Sequence, residues 1–127
     1  MSSTLFTPYK LGPVTLRNRT IRSAAFESMG KDFGPTRQLK DYHVAVARGG
    51  VGMTTLAYAA VCRSGLSFNK QLWLRPEIVP GLREITDAVH REGAAAAIQI
   101  GHCGNMTHWT TAGQMPIGAS TGFNLYA

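Results

Sequence analysis

Two apolar runs, Val51-Gly-Met-Thr-Thr-Leu-Ala57 and Ala94-Ala-Ala-Ala-Ile-Gln-Ile100, constrain this chain most. Each has strand length, and a helical pattern separates them. Leu82, Ile85 and Val89 recur at helical spacing, with Pro80 suited to a first turn and Gly93 just past the end. An earlier helix follows the same rules. Thr36 is a plausible N-cap, Leu39, Tyr42 or His43, and Val46 or Ala47 follow one stripe, and Gly49-Gly50 supplies a stop. Upstream, Arg19 to Phe26 reads as a further strand. Strands alternating with helices mean right-handed crossovers and a parallel sheet. Apolar strands without polar alternation are expected to be buried on both faces.

The rest of the chain fits around this unit. Tyr9 to Arg17 alternates apolar and polar residues around Gly12-Pro13, which is hairpin chemistry. Cys62 to Pro76 reads as a polar loop, and His102 to Ala127 carries no strong periodic segment. Three parallel strands and two helices leave two sheet edges open. A closed (β/α)8 barrel needs roughly 250 residues, and the first strand-to-helix turn lacks the Gly-x-Gly-x-x-Gly pattern of a dinucleotide-binding sheet. The 127 residues therefore read as one α/β domain's N-terminal part: a hairpin, about three strands and two helices of an incomplete TIM barrel.

Composition bounds the partners. The 44% hydrophobic content suits a folded protein. No apolar run reaches transmembrane length, the first residues lack a signal-peptide pattern, and two cysteines make no disulfide framework. A cytoplasmic protein with no membrane partner is the expectation. The net charge of +6 comes from scattered Lys and Arg with no basic, aromatic-interleaved run, so no nucleic-acid partner is expected. A small-molecule substrate is the expected partner, and a homo-oligomer stays open.

One residue of the last strand points to a ligand. On an extended strand Gln99 shares a face with Ala95 and Ala97, while Ile98 and Ile100 point the other way. A primary amide offers both donor and acceptor. Such a group is either tied to neighbouring backbone or aimed at a ligand with a mixed hydrogen-bonding edge. His102 follows one glycine later. It reads either as a polar residue near that ligand or as a loop histidine bonding backbone. His102, Cys103 and His108 match no common metal-ligand spacing. His43 and His90 read as surface or packing residues, and Trp73 and Trp109 as packing anchors, Trp109 with the alternative of touching substrate.

Several motifs in order resemble the Old Yellow Enzyme family of FMN-dependent oxidoreductases. They are Leu5-Phe-Thr-Pro-Tyr-Lys-Leu-Gly12, Thr15-Leu-Arg-Asn-Arg19, Ala47-Arg-Gly-Gly-Val-Gly52, Gly81 to Gly93, Gln99-Ile-Gly-His102 and Gln114-Met-Pro-Ile-Gly-Ala-Ser120. Arg22-Ser-Ala-Ala-Phe-Glu-Ser-Met29 is similar to a branch that carries Arg-Ser-Ala-Thr-Trp-Glu-Gly-Met there. The resemblance implies that residues 1–127 are the N-terminal portion of a single FMN-binding barrel domain. It implies that Ser23, Ala24, Ala25 and Phe26 line the flavin after the first strand, that Tyr58 does so after the second, and that Gln99 pairs with the pyrimidine edge. The better-known ene-reductases have proline where this chain has Ala24-Ala25, which removes any expectation of redox tuning by those side chains.

The family reaction passes hydride from NAD(P)H through FMN to an activated alkene. The family's substrate-binding His/His or His/Asn pair follows a fourth strand, and its phosphate cradle comes from the last two strands. No catalytic residue is therefore assigned within this chain, which alone is expected neither to hold FMN tightly nor to turn over. A 4Fe-4S cluster and FAD enter only where further C-terminal domains exist, as in relatives such as 2,4-dienoyl-CoA reductase and trimethylamine dehydrogenase. The alternatives are a non-catalytic half-barrel or interaction fragment, and a metal-dependent barrel hydrolase using His102 and His108.

Overall fold

The computed structural model describes residues 3–120, 122 and 124. The chain opens with an antiparallel hairpin, β1 (Tyr9–Leu11) and β2 (Val14–Leu16), turning at Gly12 with φ +56°. Then come β3 (Ile21–Arg22), α1 (Arg37–Arg48), β4 (Met53–Ala60), α2 (Val79–Arg91), β5 (Ala95–Gly101) and a single-turn α3 (Trp109–Ala112). The strands β3, β4 and β5 form one parallel sheet in that order. This is the strand–helix alternation that the sequence predicts, with no closed barrel among the described residues.

Local chemistry accounts for the helix ends. The Thr36 hydroxyl accepts a hydrogen bond from the Leu39 N–H at 3.2 Å and so caps α1. Pro80 sits in the first turn of α2, where no N–H is needed, and Gly93 takes φ +76° just beyond its end. At the end of α1 it is Gly50, at φ +97°, that turns left-handed, while Gly49 stays helical.

The core lies between the sheet and the two helices. Leu39 and Ala47 of α1, Ile85 and Val89 of α2, and Leu56 and Ala59 of β4 form it with Leu72 and Ala94. Ala96 and Ile98 of β5 pack on the same side. Three expectations need correction. The segment after β4 is not simply a polar loop: Leu66 and Leu72 are buried, and Trp73 pairs with Ala60 so that this segment lines the end of β4. Burial on both faces is incomplete: β4 is buried toward the helices but half-buried at Met53, Thr55 and Tyr58, and the residues of β5 are half-buried or exposed. Among the described residues β5 has one neighbouring strand, β4, so its other edge is uncovered. The first strand is also shorter than Arg19 to Phe26, because only Ile21 and Arg22 pair with β4.

Candidate functional site

The face of β5 turned away from the helices carries the residue singled out from sequence. Ala96 and Ile98 face the helices, so alternation sends Ala95, Ala97 and Gln99 to the other face. Gln99 is exposed, and its amide makes no hydrogen bond among the described residues. The small side chains of Ala95 and Ala97 leave room beside it for a flat ligand.

Tyr58 comes next to it through an irregularity in the sheet. Leu56 pairs with Ile98 and Ala59 with Ile100, so Ala57 and Tyr58 together stand across from Gln99. The Tyr58 ring lies 5.5 Å from the Phe26 ring, which stacks at 4.8 Å on Phe68. Burial, and after it the neighbouring Cys103, raise the Tyr58 pKa above the usual phenol value of 10.0. Tyr58 is therefore a neutral phenol at physiological pH. Ser23, Ala24 and Ala25 follow β3, one strand over from β4 and two from β5. Ser23 and Ala25 are exposed and Ala24 and Phe26 half-buried. The structure thus gathers Phe26, Tyr58 and Gln99, with Ser23 to Ala25 at the same ends of the strands.

His102 does what the backbone-bonding reading expects and something more. Its Nδ1 accepts from the Gly104 N–H at 2.9 Å, and its Nε2 lies 3.2 Å from Ser64 Oγ. Ser64 Oγ in turn stands 3.0 Å from Cys62 Sγ. A Cβ on Gly65 would come within 2.9 Å of the His102 ring, so glycine there permits the close approach. Among the described residues no three His, Cys, Asp or Glu side chains stand close enough to share a metal ion. Trp109 is 60% exposed and so is not a packing anchor, whereas Trp73 is half-buried under the Arg75 guanidinium.

Glu27 was not singled out by sequence reasoning. Its side chain is 6% exposed and lies beside the site. The carboxylate is 2.8 Å from Arg22 Nη1 and 3.3 Å from Nε2 of the fully buried His43, and it accepts the Ala57 N–H. Burial alone would raise its pKa. His43, a backbone hydrogen bond and the Arg22 charge outweigh that and hold it below 4.5, so Glu27 is ionised at neutral pH. The available signal was a lone carboxylate amid Ala-Ala-Phe-Glu-Ser-Met, since a charge in such company needs partners.

With this geometry, the comparisons with known proteins decide the family. Residues 4–126 match the model of the NADH:flavin oxidoreductase / NADH oxidase family. The chain belongs to this family. It is 48% identical over 100 residues to a 4,4'-dithiodibutanoate disulfide reductase of Rhodococcus erythropolis, covering 79% of this chain and 25% of that protein. It is 45% identical over 115 residues to a probable N-methylproline demethylase of Rhizobium meliloti (strain 1021), covering 89% of this chain and 17% of that protein. An old yellow enzyme homologue from Zymomonas mobilis superposes with TM-score 0.86 at 24% identity, over 94% of this chain and 34% of that one. Morphinone reductase in complex with tetrahydroNAD superposes with TM-score 0.80 at 25% identity, over 91% and 32% of the two chains.

The fold is thus part of an Old Yellow Enzyme-type TIM barrel, and the related proteins are oxidoreductases. The chain spans between 17% and 34% of the length of these four relatives. The family implies FMN and a nicotinamide reductant. As for its membrane relation, no helix among the described residues is long and apolar enough to cross one.

Proposed function

We propose that these residues form the flavin-contacting wall of a cytoplasmic NAD(P)H-dependent oxidoreductase whose acceptor is an activated alkene. Bound FMN would supply the two-electron chemistry, taking hydride from NAD(P)H and delivering it to the acceptor. The observation that carries this reading is Gln99, an amide without a partner among the described residues, at the end of β5 on the face away from the helices. The residues present fit a flavin. Gln99 presents a donor and an acceptor to the alternating N–H and C=O groups of the pyrimidine edge, while Ala95, Ala97, Ala24 and Ala25 leave room for a flat ring. Ser23 and Phe26 would border the ring with them. Tyr58, held neutral, offers an O–H without placing a negative charge near an electron-rich ring. His102 orders the loop after β5 through Gly104 and stands at the edge of the same site.

A second reading concerns the acceptor. The relative that is 48% identical is named as a disulfide reductase, and on that likeness an aliphatic disulfide replaces the alkene. The test is NAD(P)H oxidation with added FMN by a barrel-length enzyme that carries these residues as its N-terminal part, using an unsaturated ketone and an aliphatic disulfide as rival acceptors. Faster turnover of the ketone supports the first reading, and turnover of the disulfide alone moves the function to the second.

The 127 residues alone are proposed to bind FMN only weakly, because the family's phosphate cradle comes from later strands. Protein that purifies yellow with one flavin per chain would contradict this. Iron–sulfur and FAD domains remain a proposal limited to longer forms. The matched segments of the two enzymes above are 25% and 17% of their lengths, so the relatives similar to this segment differ in size.

A further inference from the structure

We propose that Glu27 is a positioning residue for this site: its carboxylate holds the β-bulge that places Tyr58 opposite Gln99. The inference rests on the flavin reading for its consequence but not for its geometry.

The register contains the argument. Between the pairs Leu56↔Ile98 and Ala59↔Ile100, β4 spends two residues where β5 spends one. Such a bulge leaves an extra residue outside the ladder, and its backbone groups need other partners. Ala57 is 5% exposed, so water does not serve its N–H. The Glu27 carboxylate does, with its two oxygens 3.3 and 3.2 Å from the Ala57 nitrogen.

The bulge also decides where the neighbouring side chains go. Leu56 and Ala59 are both in the core against the helices, which in a regular strand two residues three apart cannot be. The additional residue lets both face the core while Tyr58 turns to the other side, against Phe26. Without it, a one-residue slip would send Tyr58 toward the helices or take Ala59 out of the core.

Everything around Glu27 suits an ionised, acceptor-only group. Arg22 Nη1 donates to it at 2.8 Å and also to the Thr55 carbonyl. His43 Nδ1 is 2.8 Å from Thr54 Oγ1, leaving Nε2 facing the carboxylate at 3.3 Å. The cluster therefore ties β3, the segment after it, α1 and β4 together on one anion. A glutamine in its place would bring an amide N–H₂ into a ring of donors.

The test compares Glu27→Gln with wild type, each with and without deletion of Ala57, which would make β4 regular with Tyr58 still opposite Gln99. In the full bulge background, Glu27→Gln is expected to speed amide exchange at Ala57 at least tenfold relative to Leu56 and Ala60, and to shift the Tyr58 ring resonances. In the deleted background the same substitution is expected to leave Tyr58 unmoved. Unchanged exchange at Ala57, or an equal Tyr58 shift in both backgrounds, overturns the proposal. A flavin fluorescence titration of the wild-type chain runs alongside. If FMN is not quenched at any protein concentration the flavin reading falls, while the Ala57 and Tyr58 measurements still judge the bulge.

Discussion

The two ends of the parallel sheet use their polar groups in opposite ways. At the end where the strands begin, Arg17 donates to the carbonyls of Val51 at 3.0 and 2.8 Å, of Glu92 at 2.8 Å and of Ala47. Beside it Asn18 donates to the Gly50 carbonyl at 2.7 Å and accepts from Thr20. These bonds join the ends of both helices to the start of β4. They also bind the Thr15 to Arg19 segment to the Ala47 to Gly52 segment. At the other end Gln99 has no partner among the described residues, Ser23 is exposed, and Ile100 is 58% exposed. Polar groups satisfied within the chain hold the fold, and those left open are available to a ligand. That division matches barrel enzymes, in which one face carries stability and the other the chemistry.

The comparison breaks most directly at Arg17. Arg17→Ala removes charge-assisted bonds to three carbonyls and is expected to lower stability by about 3–5 kcal/mol in urea unfolding. A loss no larger than that of an exposed arginine would mean that this end is not the structural one. Gly52→Ala comes next. An added Cβ would stand 2.5 Å from the Asn18 carbonyl oxygen, and the strain is expected to lower stability by roughly 1–3 kcal/mol in the same assay.

Glu27 sits between the two regimes, a buried charge beside the open end. Its folded pKa lies below 4.5, so it stabilises the fold above that pH and loses this contribution as pH falls through the folded value. Glu27→Gln is expected to flatten the acid limb of stability measured between about pH 5 and pH 2. An acid limb identical to wild type would remove Glu27 from the account. The smallest stability effect is expected at Gln99. Gln99→Ala is predicted to change stability by less than about 0.5 kcal/mol and to weaken FMN binding by about tenfold. Equal losses in both would make Gln99 a structural residue.

Much of this was legible in the sequence because it follows local rules. The Thr36 cap, Pro80 in a first turn, Gly93 beyond a helix end and the Gly12 hairpin each depend on a few neighbouring residues. The facing of Gln99 followed from strand alternation alone. What escaped depends on distant partners. The short β3 reflects how far β4 offers pairing, and the buried Leu66 and Leu72 reflect a chain segment that folds back over β4. The bulge at Ala57 and Tyr58 has no sequence mark of its own, since it exists in relation to β5 and is satisfied by Glu27, 30 residues away. His43 looked like an ordinary helix residue, and its fully buried imidazole makes sense only beside Thr54 and Glu27.

The central claim is that the Gln99 amide reads a flavin edge. The most direct measurement follows the side-chain amide resonances of the isotopically labelled protein during titration with FMN. The account predicts that the Gln99 side-chain amide moves most among the side-chain amides, saturably, and that Gln99→Ala weakens the titration. Flavin binding that leaves Gln99 unmoved, or no binding up to the highest FMN concentration, would contradict it.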